Sequence, residues 1–187
     1  MAEEKTLNGI DPGQLRGAVR AMKEDAQQGK LVLRASNKWI KGAHGQTTIK
    51  GFCHAGKEDT SRSKAFVLEA DEPRALLGED HGPNATEAAL HALASCLNTT
   101  FIYHAVAQGV KVDELELELE GDLDLRGFLG ISDEVKRGYK NIRVTFKVKA
   151  DAPKEKIEQL CELAKRHSPV YDVVTPPTPV DVRLEIK

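Results

Sequence analysis

The succession of apolar patterns along the chain predicts an α+β fold in which two sheets share one long central helix. Three observations carry that reading. Strand-like and helix-like runs come in blocks instead of alternating regularly as in a doubly wound domain. One long apolar run with helical periodicity, from about Ala85 to Gln108, lies between the strand blocks. Two later runs alternate strictly and carry opposite charges on their polar faces.

Residues 12 to 28 begin with Pro12, suited to a first helical turn, and stop at Gly29, with Leu15, Val19, Met22 and Ala26 recurring at helical spacing. They predict an amphipathic helix ahead of the main fold, so residues 1–29 read as an N-terminal helical extension and 30–187 as the main domain. From Lys30 to Asp71, the runs Leu31-Val32-Leu33, Thr47-Thr48-Ile49 and Phe66-Val67-Leu68 are separated by glycine-rich and charged turns. Three short strands in an antiparallel meander are expected there.

Asn84 is placed to cap the N-terminus of the central helix, Glu87 three residues on is its capping-box partner, and Gly109 is the C-terminal stop. Ala88, Ala89, Leu90, Leu93, Ala94, Leu97, Ile102 and Val106 cover most of its circumference, which predicts a largely buried helix. Glu114 to Glu120 then alternate Glu and Leu, placing three leucines on one face of a strand and four carboxylates on the other. Residues 142 to 149 supply the complement, with Ile142, Val144, Phe146 and Val148 facing one way and Arg143, Lys147 and Lys149 the other. Antiparallel pairing of the two matches apolar with apolar and acid with base.

Pro153 to His167 reads as a helix with Ile157, Leu160, Cys161 and Ala164 on its apolar side, and Val180 to Lys187 as a closing strand. The expected order is α, βββ, α, ββ, α, β. Neither half is large enough to bury both faces of the central helix, so an intertwined homodimer is expected.

At 187 residues, 40% hydrophobic and 30% charged, the chain suits one compact domain or two intimate halves with enough length to bury a core. Its net charge of −2 is spread over 27 basic and 29 acidic residues without a basic block, which argues against nucleic acid as a partner. No run approaches the roughly 18 apolar residues of a membrane span and no apolar signal core follows Met1 to Lys5, so a soluble cytoplasmic protein is expected. Cys53, Cys96 and Cys161 are an odd set at wide spacings, suited neither to a disulfide framework nor to a metal site. No cofactor or metal is expected.

Cys96 is the candidate reactive group. Ala92, Cys96, Thr99, Thr100 and Tyr103 fall within about 60° of one stripe of the central helix, so three hydroxyls lie beside the thiol on an otherwise apolar element. A cysteine that acts as a nucleophile does so as the thiolate, which needs donors or a cation to hold its charge. The dipole of its own helix, some three turns away, is too distant to serve. Cys96 as a small buried hydrophobe is the alternative. Cys161 beside Leu160 and Ala164, and Cys53 in Phe52-Cys53-His54, read as structural. His91 and His104 share the helix, at about 140° and 80° from Cys96, and read as structural histidines, with His104 the one in a position to assist.

Gly78-Glu79-Asp80, Gly82-Pro83-Asn84, Glu87, the run Ala-Leu-Ala-Ser-Cys96 and the later Ser168-Pro169-Val170 together resemble the OsmC/Ohr family of osmotically induced proteins and organic hydroperoxide reductases. The resemblance runs from about Lys30 to the C-terminus and marks 30–187 as an OsmC-like domain. It implies a homodimer with two interface sites, each with a peroxidatic cysteine at the position of Cys96, acting on organic hydroperoxides in oxidative stress defence.

Three positions depart from the family pattern. Ser168-Pro169 stands where active reductases have a resolving Cys-Pro. Thr86 stands where they have a glutamate ten residues before the peroxidatic cysteine; Glu87 lies about 180° from the thiol and is better read as the capping acid. The first strand turn, Trp39 to Gly45, has no arginine, and Lys41 is its available cation, without the arginine's bidentate fork. Two readings stay open. One is a hydroperoxide reductase working through Cys96, with Lys41, Thr99, Tyr103 and Ser168 as supporting candidates and an external thiol as reductant. The other is a non-catalytic dimer that binds a small apolar ligand.

Overall fold

The computed structural model describes residues 6–175 and Val180. The expected closing strand, apart from Val180, lies outside the described residues. The chain divides into two units, residues 1–89 and 90–187.

In the first unit, Asp11 accepts hydrogen bonds from the N–H groups of Gly13 and Gln14 and so starts helix α1, Pro12–Glu24. The helix stops short of residue 28. Asp25 turns extended and its carboxylate accepts from the Gln27 N–H, opening a separate tight turn over Ala26–Gly29. No residue of α1 is buried, and Val19 and Met22 on its apolar side remain exposed.

Six strands follow where three were expected: β1 (Leu31–Leu33), β2 (Ser36–Lys41), β3 (His44–Ile49), β4 (Phe52–His54), β5 (Lys57–Asp59) and β6 (Phe66–Ala70). They form two antiparallel sheets, ordered β1-β4-β5 and β2-β3-β6. β2 opens on Ser36-Asn37-Lys38 and has no apolar alternation, so pattern alone does not reveal it. Pairing with β3 makes it, helped by the Asn37 amide donating to Thr47 Oγ1 at 2.8 Å. β4 and β5 meet through Ala55 and Gly56, both at positive φ (50° and 80°), a hairpin turn disguised by its alanine.

Among the described residues of this unit no apolar side chain is buried; only Asp71 is. Val67 and Leu68, neighbours pointing to opposite faces of β6, are each 53% exposed, and Trp39 is 70% exposed.

The second unit is built on α2 (Ala85–Ala107), which begins in the last residues of the first. The expected capping box is present: the Glu87 N–H donates to Asn84 Oδ1, and the Asn84 N–H to Glu87 Oε2, each at 2.9 Å. At the other end, the Val110 N–H reaches the Ala105 carbonyl and the Gly109 N–H the Val106 carbonyl, closing the helix in a Schellman motif. Only the stripe Leu93, Leu97, Phe101, Ala105 and Val106 is buried. Ala88 and Ala89 are exposed, contrary to the expected all-round burial.

After α2 come β7 (Val112–Asp122), a short turn of helix α3 (Leu125–Phe128), β8 (Asn141–Ala150), α4 (Lys154–His167) and α5 (Pro169–Val174). β7 and β8 pair antiparallel in the expected sense, with Leu115, Leu117 and Leu119 opposite Val148, Phe146 and Val144. On the outer face Lys149 holds Glu114, Lys147 holds Glu116 and Glu118, and Arg143 holds Glu120 and Asp122. Near the far end, Gly121 leaves room for the Tyr139 ring, which would lie 2.3 Å from a Cβ at that position. The core joins Phe101, Ala105 and Val110 to Leu160 and Ala164 of α4, with Leu115, Phe146 and Val148 packed against it.

Candidate functional site

Cys96 lies midway along α2 and is half-buried. Its Sγ accepts a hydrogen bond from the backbone N–H of Val170 at 3.5 Å, across 74 residues of sequence. The donor is presented by a sharp corner. α4 ends at His167, Ser168 turns extended, and Pro169 opens α5. Ser168 is 2% exposed, and its Oγ accepts from the Tyr171 N–H at 3.2 Å, capping α5. The Ser-Pro pair is therefore an N-cap followed by a first-turn proline, a local signal for a helix that the sequence reading passed over.

Two of the expected neighbours are thus brought to one place, Cys96 and the Ser168–Val170 corner. The hydroxyl stripe behaves differently. Thr100 donates to the Cys96 carbonyl oxygen at 2.8 Å, so it serves the helix backbone, while Thr99 and Tyr103 are exposed. Lys41 belongs to the first unit, where its Nζ is 3.2 Å from Glu79 Oε1. Thr86 donates to Asn84 Oδ1 at 2.8 Å and so belongs to the cap of α2.

His104, two turns beyond Cys96, packs its ring against that of His167, with centroids 5.1 Å apart. Burial first, then the charge of His167, push His104 below its ordinary value. Cys161 is half-buried on α4, and burial, with Glu162 and Glu158 nearby, pushes its thiol up, away from reactivity. It lines an open groove of about 700 Å³ with Phe146, Val148, Ala152 and Ile157. Cys53 pairs with Val32 in the β1–β4 ladder. Among the described residues no group of three His, Cys, Asp or Glu side chains is arranged to hold a metal ion.

A polar knot in the first unit was also not foreseen. Asp71 Oδ2 is 2.8 Å from His81 Nδ1, and its carboxylate also accepts the N–H groups of Glu72, Glu79 and His81. These donors, His81 foremost, hold Asp71 well below the usual carboxylate range. His81 in turn stacks flat on His44, with ring centroids 4.4 Å apart, and His44 Nε2 is 2.7 Å from Glu69 Oε2. The knot fixes the 72–82 loop so closely that a Cβ on Gly78 would fall 1.7 Å from the Glu72 carbonyl oxygen, and one on Gly82 2.5 Å from that of Glu69. The Gly78-Glu79-Asp80 and Gly82-Pro83 motif is therefore a demand of close packing.

Residues 78–183 match the family model described as OsmC-like protein. No curated protein matches the chain. Among solved structures, an OsmC-like protein from Mycoplasma pneumoniae superposes with a TM-score of 0.58 at 13% identity, covering 78% of this chain and 89% of that one. An organic hydroperoxide resistance protein OsmC from Legionella pneumophila gives 0.55 at 17% identity, covering 78% and 92%. An OsmC-like protein of unknown function from Vibrio cholerae gives 0.54 at 15% identity, covering 77% and 94%. At these identities the likeness concerns the fold.

Proposed function

Because the chain belongs to the OsmC-like protein family, we propose that it is a cytoplasmic homodimer that reduces organic hydroperoxides through Cys96, with an external thiol as reductant. The observation that carries this reading is the Val170 N–H aimed at the Cys96 sulfur. A donor at that position stabilises a thiolate more than a thiol and supplies what the distant N-terminus of α2 does not. In the first step the Cys96 thiolate attacks one oxygen of the O–O bond, the bond breaks, and the alkoxide takes a proton from water and leaves as the alcohol. Cys96 is then a sulfenic acid. An external thiol attacks that sulfur and expels water, giving a mixed disulfide, and a second thiol releases Cys96. With serine at 168 in place of a cysteine, no resolving thiol is supplied by that position.

The exposed sheet faces of the first unit support the homodimer. Leu33, Trp39, Val67 and Leu68, all more than half exposed, make apolar surface of the kind a partner covers. We take the family domain to begin at residue 30, with 1–29 as an extension.

Mixing the protein with cumene hydroperoxide and a sulfenic-acid trap tests the reading. Rapid labelling of Cys96, absent in Cys96→Ser, is expected; peroxide consumption that survives Cys96→Ser overturns it. A second reading, a non-catalytic dimer binding a small apolar ligand, is favoured by Ser168 serving as a helix cap and by Lys41 being engaged by Glu79. Iodoacetamide labelling of Cys96 that is slow and constant between about pH 6 and 8 would select it.

A further inference from the structure

The α4–α5 corner is held to α2 at two points. One is the Val170 N–H on Cys96. The other is His167, the residue immediately before Ser168, whose ring packs on His104 with an interplanar angle of 36°. Along α2 the two points are about 12 Å apart. Ser168 lies between them in the chain and is 2% exposed, so displacement of His167 is transmitted through one buried residue to the Ser168–Val170 segment.

We propose that the His104–His167 pair is a proton-sensitive latch that holds the Ser168–Val170 corner on Cys96 and opens when both rings are protonated. The proposal rests on the reading of Cys96 as the reacting thiol; His104 and His167 act as positioning residues through the corner.

The charge environment decides the direction. Among the described residues neither ring has a carboxylate in ion-pair reach. On α2, Tyr103 is exposed and Cys96 holds the Val170 contact. On α4, Lys165 is paired with Glu162 at 2.9 Å, and Arg166 adds positive charge beside His167. Cys161, on the same helix, has its thiol pushed up by burial and so stays uncharged. α5 contributes Tyr171, whose N–H is bonded to Ser168, and Asp172. The charges of β7 and β8 pair with one another on the outer face of their ladder. With His167 protonated, a second proton on His104 meets a like charge at 5.1 Å with burial against it. The closed corner therefore binds fewer protons than the open one, and acid favours opening.

The test is the rate of iodoacetamide labelling at Cys96, read by peptide mass mapping, from pH 8 to pH 5. An isolated thiol below its pKa loses about tenfold in rate per pH unit, a slope of one on logarithmic axes. The latch adds proton uptake, so the wild-type slope is expected to exceed one between pH 7 and 5, with about tenfold extra loss across that window, and to return to one in His104→Gln and His167→Gln. His167 is exposed, so its variant reads the latch even where substitution of half-buried His104 disturbs folding. A wild-type slope of one or less, unchanged by either substitution, overturns the proposal. Sulfenic-acid trapping reads the other claim separately. A steep slope without trapping removes the peroxidase and keeps the latch, whereas trapping with a slope of one does the reverse.

Discussion

Each unit of the chain contains one pair of packed histidine rings, and the two pairs are wired oppositely. His44 and His81 stack flat, and each ring has its own carboxylate, Glu69 at 2.7 Å and Asp71 at 2.8 Å. His104 and His167 meet at a tilt with no such carboxylate among the described residues. Each ring of the first pair faces a carboxylate, while protons on both rings of the second would face only each other in a partly buried place. The units as wholes differ in the same sense. The first is tied by polar contacts around buried Asp71 and leaves its apolar faces open, whereas the second is closed around Phe101, Leu160 and Ala164. Charge organises one unit and apolar packing the other.

The largest expected effect comes from breaking the apolar side of that contrast. Phe101→Ala removes a fully buried ring and should cost about 3–5 kcal/mol in a denaturant melt followed by circular dichroism. A small change there would mean the second unit is not held by its core. Next, Val67→Asp puts a charge on the exposed β6 surface. It should leave the fold intact and weaken the proposed dimer by about tenfold or more in sedimentation equilibrium; unchanged association would show that another surface makes the dimer.

Acid should separate the units in order. His104 is depressed from the ordinary 6.5, so the stability it lends is present above that value and is lost as the pH falls below it. Asp71 is depressed from 3.8, so its contribution persists until the pH falls below about that value. Amide protection in α4 and α5, corrected for the intrinsic exchange rate at each pH, should therefore fall near pH 6, while the fluorescence of Trp39, whose indole donates to the Gly42 carbonyl, should hold to about pH 4. A common step in both signals would erase the distinction. The smallest effect is expected for Lys149→Ala, which removes an exposed pair with Glu114 and should move Tm by no more than about 1 °C.

What the sequence reveals of all this follows from the range of the interactions. The ends of α2 were legible because Asn84, Glu87 and Gly109 act within four residues of the groups they satisfy. The β7–β8 pairing was legible because charge and apolar alternation coincide on two strands. β2 was not, since Ser36-Asn37-Lys38 becomes a strand only against β3. The contact that singles out Cys96 spans 74 residues and uses a backbone N–H, which leaves no mark on residue type. The knot at Asp71 was invisible for a related reason, because its donors are three backbone groups and one histidine ten residues away. Its glycines were visible as a motif without their cause.

The Gly121–Tyr139 contact has a consequence for how the chain finds its register. Slide β8 by two residues along β7 and leucine still meets an apolar residue, Ala150, Val148 or Phe146, while Glu116 meets Lys149 and Glu118 meets Lys147. A uniformly acidic strand attracts a basic one without choosing among in-phase alignments. The ring over Gly121 fits only one of them, because at the neighbouring in-phase position of β7 the Leu119 side chain fills that space. Tyr139 thus works as an index mark on a repeating scale, and Gly121→Ala would blur the mark, slowing the search for the native alignment while leaving the affinity between the strands untouched.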